Sequence, residues 1–484
     1  MPLVTPTATT PFAEQRRRAR HWLGLAVGSL VLAGLLSLLL VVGRLPGLHE
    51  LFTDPLFFKR SLVVHVDLAL IVWFGAFFCA LYRLLPVRGE GGGRPHGAIV
   101  IAWAGVLFLV AAAGVGGAEP VLANYVPVVD HPFFVAGLWL FGLGVGVALV
   151  GPRLVPGREA CEGPIRLPGS ARVGLRMGAV VVLAALLTFA GAVISTPAGL
   201  PPETYYELVA WGGGHLIQFV SVIGMLVVWL TLLERATGVD PVSRSTATLL
   251  FAALALPALG GPLLALRGTD DVIYHAGFTH IMRWGIWPAV AVFLGVGVRS
   301  VLRARRAGHL PARVLRHPYV AAVAASAALT VVGFVLGALI RGPNTMVPAH
   351  YHASIGAVTV AYMAMTWPLL QDLGLRLPST RLARVVHWQP IAFGIGQLVF
   401  AIGFGLAGAH GMARKTYAGE QQIRSAAESF GLGIMGLGGV VAIGAGIVFL
   451  WLVGHAWLAT GAAPGPIVDE GVVTWKSESI RSRS

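Results

Sequence analysis

Cysteine and charge are both scarce in this chain. Two cysteines, Cys79 and Cys161, stand far apart among 484 residues. No C-x-x-C or C-x-x-C-H occurs, which excludes a thioether-attached haem and a thiolate metal cluster. Charged residues make up 12% of the chain, and acidic residues number 21 against 35 lysines and arginines. A net charge of +14 in a soluble chain would suggest nucleic acid. Here the basic residues lie in short connectors between apolar runs, so they read as topology determinants and no nucleic-acid partner is expected. The N-terminus (MPLVTPTATTPFAEQRRRAR) lacks the short apolar core and small-residue cleavage site of a signal peptide, so the first apolar stretch is expected to remain as a helix. Nothing between the apolar runs is long enough for a second soluble domain. No internal repeat is evident, which speaks against the inverted repeats of many transporters.

What the chain has is apolar length. It is 56% hydrophobic with a mean hydropathy of +0.77, more apolar surface than a soluble protein could hide. Its 63 glycines suit close packing of membrane helices. Runs of about 20 apolar residues each span a bilayer. They fall at roughly 21–44, 61–85, 97–118, 133–151, 173–198, 205–234, 245–267, 279–302, 317–341, 349–374, 389–410 and 427–459. The expected fold is an all-α polytopic membrane protein of about twelve helices, with the lipid bilayer as its main partner. Residues 1–20 form an N-terminal segment, 21–460 the helical domain, and 461–484 a polar tail.

Arginines orient the array. RRRAR (16–20), Arg83/Arg88/Arg94, Arg153 to Arg176, Arg235/Arg244, RARRAGHLPARVLRH (303–317) and Arg376/Arg381/Arg384 occupy alternate connectors. The positive-inside rule places these connectors and both termini in the cytoplasm, hence an inner-membrane location. The opposite connectors carry Glu119, Asp130, Glu203, Asp270 and Asp271. In this layout His65, His215, His275, His280, His350 and His352 all fall in the outer part of the membrane. Histidine there is costly unless it is paired or holds a metal. His350 and His352, at i and i+2, point about 200° apart on a helix. One helix would thus present an imidazole to each of two neighbouring sites.

These residues carry a resemblance. The chain is similar, over nearly its whole length, to the catalytic subunit of the heme-copper oxidoreductases: respiratory oxygen reductases (cytochrome c oxidase subunit I) and nitric oxide reductases. That family holds a low-spin haem and, beside it, a high-spin haem facing a second metal in a twelve-helix subunit. HVDLALIVWF resembles helix 2 of the nitric oxide reductase branch and implies His65 as a low-spin haem ligand. The H-x-H implies His350 as ligand of the high-spin haem and His352 as second ligand of the low-spin haem. WGGGHLIQF resembles the helix-6 segment that supplies the first ligand of the second metal, His215. The family's adjacent histidines before helix 8 correspond to Tyr274 and His275 in YHAGFTHIMRW, so one histidine is missing. His280 is the expected substitute, provided that stretch is not helical. Tyr274 and Gln218 are further candidates for the metal's surroundings. The alternatives are a packed interfacial tyrosine and an interhelical hydrogen bond. GMARKTY resembles the family's loop that contacts haem propionates, with Arg414 and Lys415 as the basic pair. The segment 119–134 (EPVLANYVPVVDHPFF) is also similar to the superfamily, with His131 read as structural.

The resemblance implies an oxidoreductase of the respiratory chain that passes electrons through two haems to a centre reducing a small gas. The second metal is copper or iron, and the gas is nitric oxide or oxygen. Phe219 stands where oxygen reductases carry a tyrosine and nitric oxide reductases a glutamate. The inner halves of the sixth to eighth helices are almost wholly apolar, whereas Asp67, Glu119, Glu203, Glu207 and Gln218 lie outward. Protons are therefore expected from the outer side, without pumping, and nitric oxide is slightly favoured. The electron donor is a second subunit carrying haem c or copper, or quinol. The competing reading is a haem b electron carrier without gas chemistry.

Overall fold

The computed structural model describes residues 11–42, 56–86, 97–156, 167–375, 380–414 and 423–459. Among these, eleven helices are long and apolar enough to cross a membrane, and a twelfth, Gly97–Ala113, is apolar but shorter. The twelve coincide with the twelve apolar runs. The chain is an all-α multi-pass membrane protein. The tail 461–484 and Lys415 lie outside the described residues.

The chain divides into two units, residues 1–303 and 304–484. The first holds α1 (Pro11–Val42), α2 (Phe57–Asp67), α3 (Trp73–Arg83), α4 (Gly97–Ala113), α5 (Pro132–Leu149), α6 (Gly169–Ser195), α7 (Pro202–Thr237), α8 (Arg244–Leu259), α9 (Gly261–Leu266), α10 (Val272–Gly285) and most of α11 (Trp287–Arg306). Several of these are pieces of one span. A π-helical turn, Leu68–Val72, joins α2 to α3 directly after His65 and Asp67, the kind of bulge that marks functional sites in helices. The Pro257–Gly260–Pro262 stretch separates α8 from α9, because proline lacks the N–H that would continue the ladder. Pro288 opens α11 in the same way. Asp271 caps α10 by accepting from the Ile273 N–H at 2.8 Å.

Two short antiparallel strands, β1 (Glu119–Val121) and β2 (Val128–Asp130), close a hairpin between α4 and α5. Side chains in the first turns of α7 hold the hairpin. Tyr206 donates to Asp130 at 2.6 Å, and Glu207 accepts from Asn124.

The second unit contains α12 (Pro318–Ala338), α13 (Met346–Asp372), α14 (Thr380–Ala409) and α15 (Ala426–Leu458). Close packing of α14 on α15 is set by glycine: added Cβ atoms at Gly403 and Gly438 would strike the backbones at Met435 and Phe400. The most enclosed helices are α7, with 83% of its most apolar window buried, and α13, with 89%, against 33% for α15. Those two helices carry His215, His350 and His352.

Candidate haem and metal centre

Three of the histidines share one local arrangement. The Nδ1 of His65 lies 2.8 Å from the Ala33 carbonyl on α1. The Nδ1 of His215 lies 2.6 Å from the Trp211 carbonyl, one turn back on α7. The Nδ1 of His350 lies 2.7 Å from the Gly333 carbonyl on α12. A carbonyl oxygen only accepts, so each Nδ1 carries the proton, and each neutral ring keeps its lone pair on Nε2. This is the arrangement in which a ligating histidine is oriented by a backbone carbonyl behind it. The donor set therefore fits iron or another imidazole-binding metal.

Glycines make room for the His350 ring and for the rings around His215. The His350 imidazole lies over Gly337, where an added Cβ would approach its Nδ1 to 2.8 Å. The triplet Gly212–Gly213–Gly214 admits rings from three elements to α7. Added Cβ atoms would meet Phe278 and the Tyr274 oxygen at Gly212, Phe189 at Gly213, and the Tyr125 Cβ, below 2.5 Å, at Gly214.

Around His215 the residues form a box of rings. Trp211 packs at 4.8 Å from His215 and 5.2 Å from His275, centroid to centroid. Phe278 stands 5.9 Å from His215. The Trp211 Nε1 is buried without a hydrogen-bond partner. Tyr274 is fully buried, and its hydroxyl donates to the Leu208 carbonyl at 2.8 Å while accepting the Gly212 N–H at 2.9 Å. Its oxygen thus serves to lock α10 onto α7. Gln218, one turn after His215, is half-buried.

The stretch carrying His275 and His280 is helical from Val272 to Gly285. Five residues on a helix correspond to about 140° of rotation, so the two imidazoles cannot face one point. His280 is exposed, whereas His275 is half-buried against Trp211. The structure brings His275 toward His215 and turns His280 away. Among the described residues no three His, Cys, Asp or Glu side chains stand close enough to hold one metal ion.

The phenol on His215 is instead Tyr125, from the hairpin tip. Its hydroxyl lies 2.9 Å from the His215 Nε2, and the rings are 4.4 Å apart. Since Nδ1 holds the proton, the phenol donates to Nε2. Burial, and next the nearby Glu207 carboxylate, push the Tyr125 hydroxyl pKa well up, so it remains protonated. Tyr125 has φ +68°, and the Val126 N–H closes a three-residue turn onto the Asn124 carbonyl at 2.9 Å. A bulky side chain rarely adopts this backbone. Glu207 holds it, one oxygen accepting the Asn124 N–H at 2.7 Å and the other the Asn124 Nδ2 at 2.5 Å. The sequence signals were the resemblance of 119–134 to the superfamily and the glycine at 214. Neither pointed to Tyr125 by itself.

In the second unit His352 packs its ring on Phe400, 4.6 Å away, and on Phe404. Arg414 is half-exposed and follows an isolated bridge between Asn344 and Ala413, beside the start of α13. The Thr345 N–H donates to the Met412 carbonyl at 2.9 Å, which ties the GMAR segment to the helix end bearing His350 and His352. His131 caps α5, accepting from the Phe133 N–H at 3.2 Å.

No family model matches the chain. An uncharacterized protein of Aquifex aeolicus (strain VF5) is 28% identical over 354 residues, covering 73% of this chain and 84% of that protein. An uncharacterized protein of Rickettsia prowazekii (strain Madrid E) is 25% identical over 500 positions, covering 90% of this chain and 95% of that protein. Among solved structures, a heme-copper terminal oxidase dimer determined by cryo-EM matches with a TM-score of 0.67 at 16% identity, covering 97% of this chain and 90% of that one. The chain has a divergent heme-copper oxidase-like fold.

Proposed function

We propose that this chain is the catalytic subunit of a respiratory terminal reductase that reduces a small gas, nitric oxide in preference to oxygen. One observation carries the proposal. Three imidazoles placed in three of its membrane spans each commit Nδ1 to a carbonyl, which makes Nε2 the lone-pair nitrogen, although at His215 the Tyr125 hydroxyl donates to it. The exposed His410 makes the same contact with the Leu406 carbonyl, so it is the burial of these three rings within apolar spans, together with the contact, that supports the reading.

The resemblance assigns His65 and His352 to a low-spin haem, His350 to a high-spin haem, and His215 with His275 to a second metal, copper or iron. Arg414 and Lys415 would meet haem propionates, and two cations there would raise the haem potentials. When bound, these groups supply electrons and Lewis acidity for reduction of the gas. The chain's own residues set the rest. Ala33 and Gly333 fix the His65 and His350 rings. Trp211, Tyr125 and Phe278 wall the second-metal site with apolar surface, which excludes water and admits small uncharged gases.

Proton supply supports the nitric oxide branch and the absence of pumping. From Phe219 to Leu233, α7 carries two polar side chains, Ser221 and Thr231, and both donate to carbonyls of their own helix. The carboxylates Glu203 and Glu207 lie at the opposite end of α7, and Asp67 lies in the N-terminal half of the α2–α3 span. A second reading, oxygen reduction, is favoured by one feature: a phenol, Tyr125, touches the proposed metal ligand. The subunit would lie in the cytoplasmic membrane with both termini inside. It would take electrons from quinol or from a partner subunit bearing haem c or copper.

The test is turnover of nitric oxide and of oxygen by the purified complex, with haem and metal analysis and proton uptake in reconstituted vesicles. Two haems, faster nitric oxide consumption and no proton ejection are expected. A colourless protein would end the proposal. Two haems without a second metal would favour the electron carrier.

A further inference from the structure

Between α14 and α15 lies a trough of about 910 Å³, open along one side. Both helices line it in the same pattern. Arg384, Trp388 and Ala392 recur every four residues on α14, and Val440, Gly444 and Val448 do so on α15, so each set forms one stripe of its helix. The helices run antiparallel, with Gly396 against Ala442 and Gly403 against Met435. Arg384 and Trp388 therefore mark one end of the trough, near the start of α14, and Val440 marks the deep end. Small residues open the space: a Cβ added at Gly444 would meet nothing within 4 Å.

One polar atom of this wall is unmatched. Gln389 lines the trough and is 3% exposed. Its Nε2 donates to the Ala445 carbonyl at 3.1 Å and lies 3.3 Å from the Met363 sulfur. A carbonyl only accepts, which fixes the orientation of the amide. The buried Oε1 is left without a donor among the described residues, a costly state within a membrane span.

We propose that this trough binds one anionic phospholipid with a hydroxyl-bearing headgroup, a phosphatidylglycerol, from the leaflet on the arginine-rich side. Each part of the trough selects one part of that lipid. Arg384 is exposed and forms no ion pair among the described residues, so it suits a phosphodiester at the membrane surface. Trp388, 62% exposed, stands one turn deeper, at the headgroup level that tryptophan favours. The Gln389 oxygen accepts only, so the ligand must bring a donor, and a glycerol headgroup carries hydroxyls. The stretch from Val440 to Val448 is about 12 Å long at 1.5 Å per residue, close to the ~15 Å hydrocarbon depth of one leaflet, and it is apolar throughout, as an acyl chain requires. The inference needs only that the chain spans a membrane, and it holds whichever gas is reduced.

The experiment titrates the full-length protein, purified in detergent, with three lipids of equal acyl chains and counts bound lipid by native mass spectrometry. Phosphatidylglycerol has the anion and the hydroxyls, phosphatidylethanol has the anion alone, and phosphatidylcholine has neither. The wild type should bind one phosphatidylglycerol about fivefold more tightly than phosphatidylethanol, from the hydrogen bond, and phosphatidylethanol about fivefold more tightly than phosphatidylcholine, from the charge. Arg384→Gln should weaken phosphatidylglycerol binding about fivefold. Gln389→Leu should bind phosphatidylglycerol and phosphatidylethanol alike. Gly444→Leu fills the trough without touching its neighbours and should lose the site while the protein stays folded. Equal affinity of the wild type for all three lipids, undiminished phosphatidylglycerol binding by Arg384→Gln or Gly444→Leu, or a retained glycerol preference in Gln389→Leu would each overturn the assignment. Cross-linking of Val441→Cys to another protein chain in the cell membrane would also overturn it, because a helix would then occupy the trough.

Discussion

Replacing Gly337 by alanine tests whether the His350 ring is held as a haem ligand. Gly337 and Gly333 are one turn apart on α12 and form the floor beneath that ring. A Cβ at 337 would lie 2.8 Å from the His350 Nδ1 and 2.9 Å from its Cε1. Ordinary contact needs about 3.4 Å, so the ring must retreat by roughly 0.6 Å, more than the ~0.5 Å tolerance of a preorganised site. The retreat also stretches the 2.7 Å bond to the Gly333 carbonyl. Overpacking costs about 1–3 kcal/mol and the lost hydrogen bond about 1 kcal/mol. If most of this falls on the ligated state, haem retention weakens by about thirtyfold to a thousandfold, at tenfold per 1.4 kcal/mol. The assay is a pyridine haemochrome count with the high-spin spectrum, beside Gly436→Ala on α15, where an added Cβ meets nothing within 4 Å. Gly337→Ala should drop from two haems per chain to one while circular dichroism stays unchanged, and Gly436→Ala should match wild type. Two haems with an unaltered high-spin signal in Gly337→Ala would refute the reasoning.

Tyr274→Phe removes a hydroxyl that bridges the Gly212 N–H and the Leu208 carbonyl, an i, i−4 pair of α7 that still has its helical bond, so the melting temperature should fall by an amount corresponding to about 0.5–1.5 kcal/mol. Turnover per haem should persist, and its abolition in a folded variant would show a chemical role for that phenol. Glu207→Gln presents an amide to the two Asn124 donors and should weaken the hairpin by about 1.5–3 kcal/mol, the range for hydrogen bonds to charged groups. Hydrogen exchange across residues 119–130 should rise, and unchanged protection would show that Glu207 does not hold the turn. His317, at the N-terminus of α12, has its pKa lowered to about 4 by burial and then by the neighbouring His387. Unfolding returns it to about 6.5, so the unfolded chain binds more protons and stability falls as the pH drops from about 6.5 toward 4. After allowance for partial exposure the loss is roughly 1–2 kcal/mol. Melting curves from pH 7 to 4.5 should show it, and His317→Gln should flatten that slope.

The membrane spans were legible because a bilayer imposes one length and one composition on each, so apolar runs and arginine-bearing connectors suffice to find all twelve. The α10 helix was less so. YHAGFTHIMRW is compatible with either a helix or an irregular connector, and only the Asp271 cap and the packing of Tyr274 and Phe278 on α7 settle it as a helix. That single choice decides whether His275 and His280 can share a target. His317 ends an arginine-rich connector of the sequence, yet it is half-buried near His387 with its Nδ1 unpartnered. Proximity to a residue seventy positions later leaves no local trace. Tyr125 was hidden for the same reason: its partner, His215, is ninety residues away, and the backbone that delivers it is one that tyrosine rarely adopts.

The glycines of WGGGH show how a motif can be legible while its physics is not. Read as a string, they precede a candidate ligand. In the fold each removes a Cβ that would block rings from another element: Tyr274 and Phe278 of α10 at Gly212, Phe189 of α6 at Gly213 and Tyr125 of the hairpin at Gly214. A helix that bears a ligand histidine must admit neighbours on several sides at one level, because the ligand's orientation depends on what surrounds it as much as on its own rotamer. The same logic recurs on α12, where Gly333 and Gly337 admit Ser354 and His350. A backbone carbonyl behind Nδ1, rather than the count of histidines, is therefore what separates the imidazoles with oriented rings, His65, His215 and His350, from His280, which lies exposed on α10.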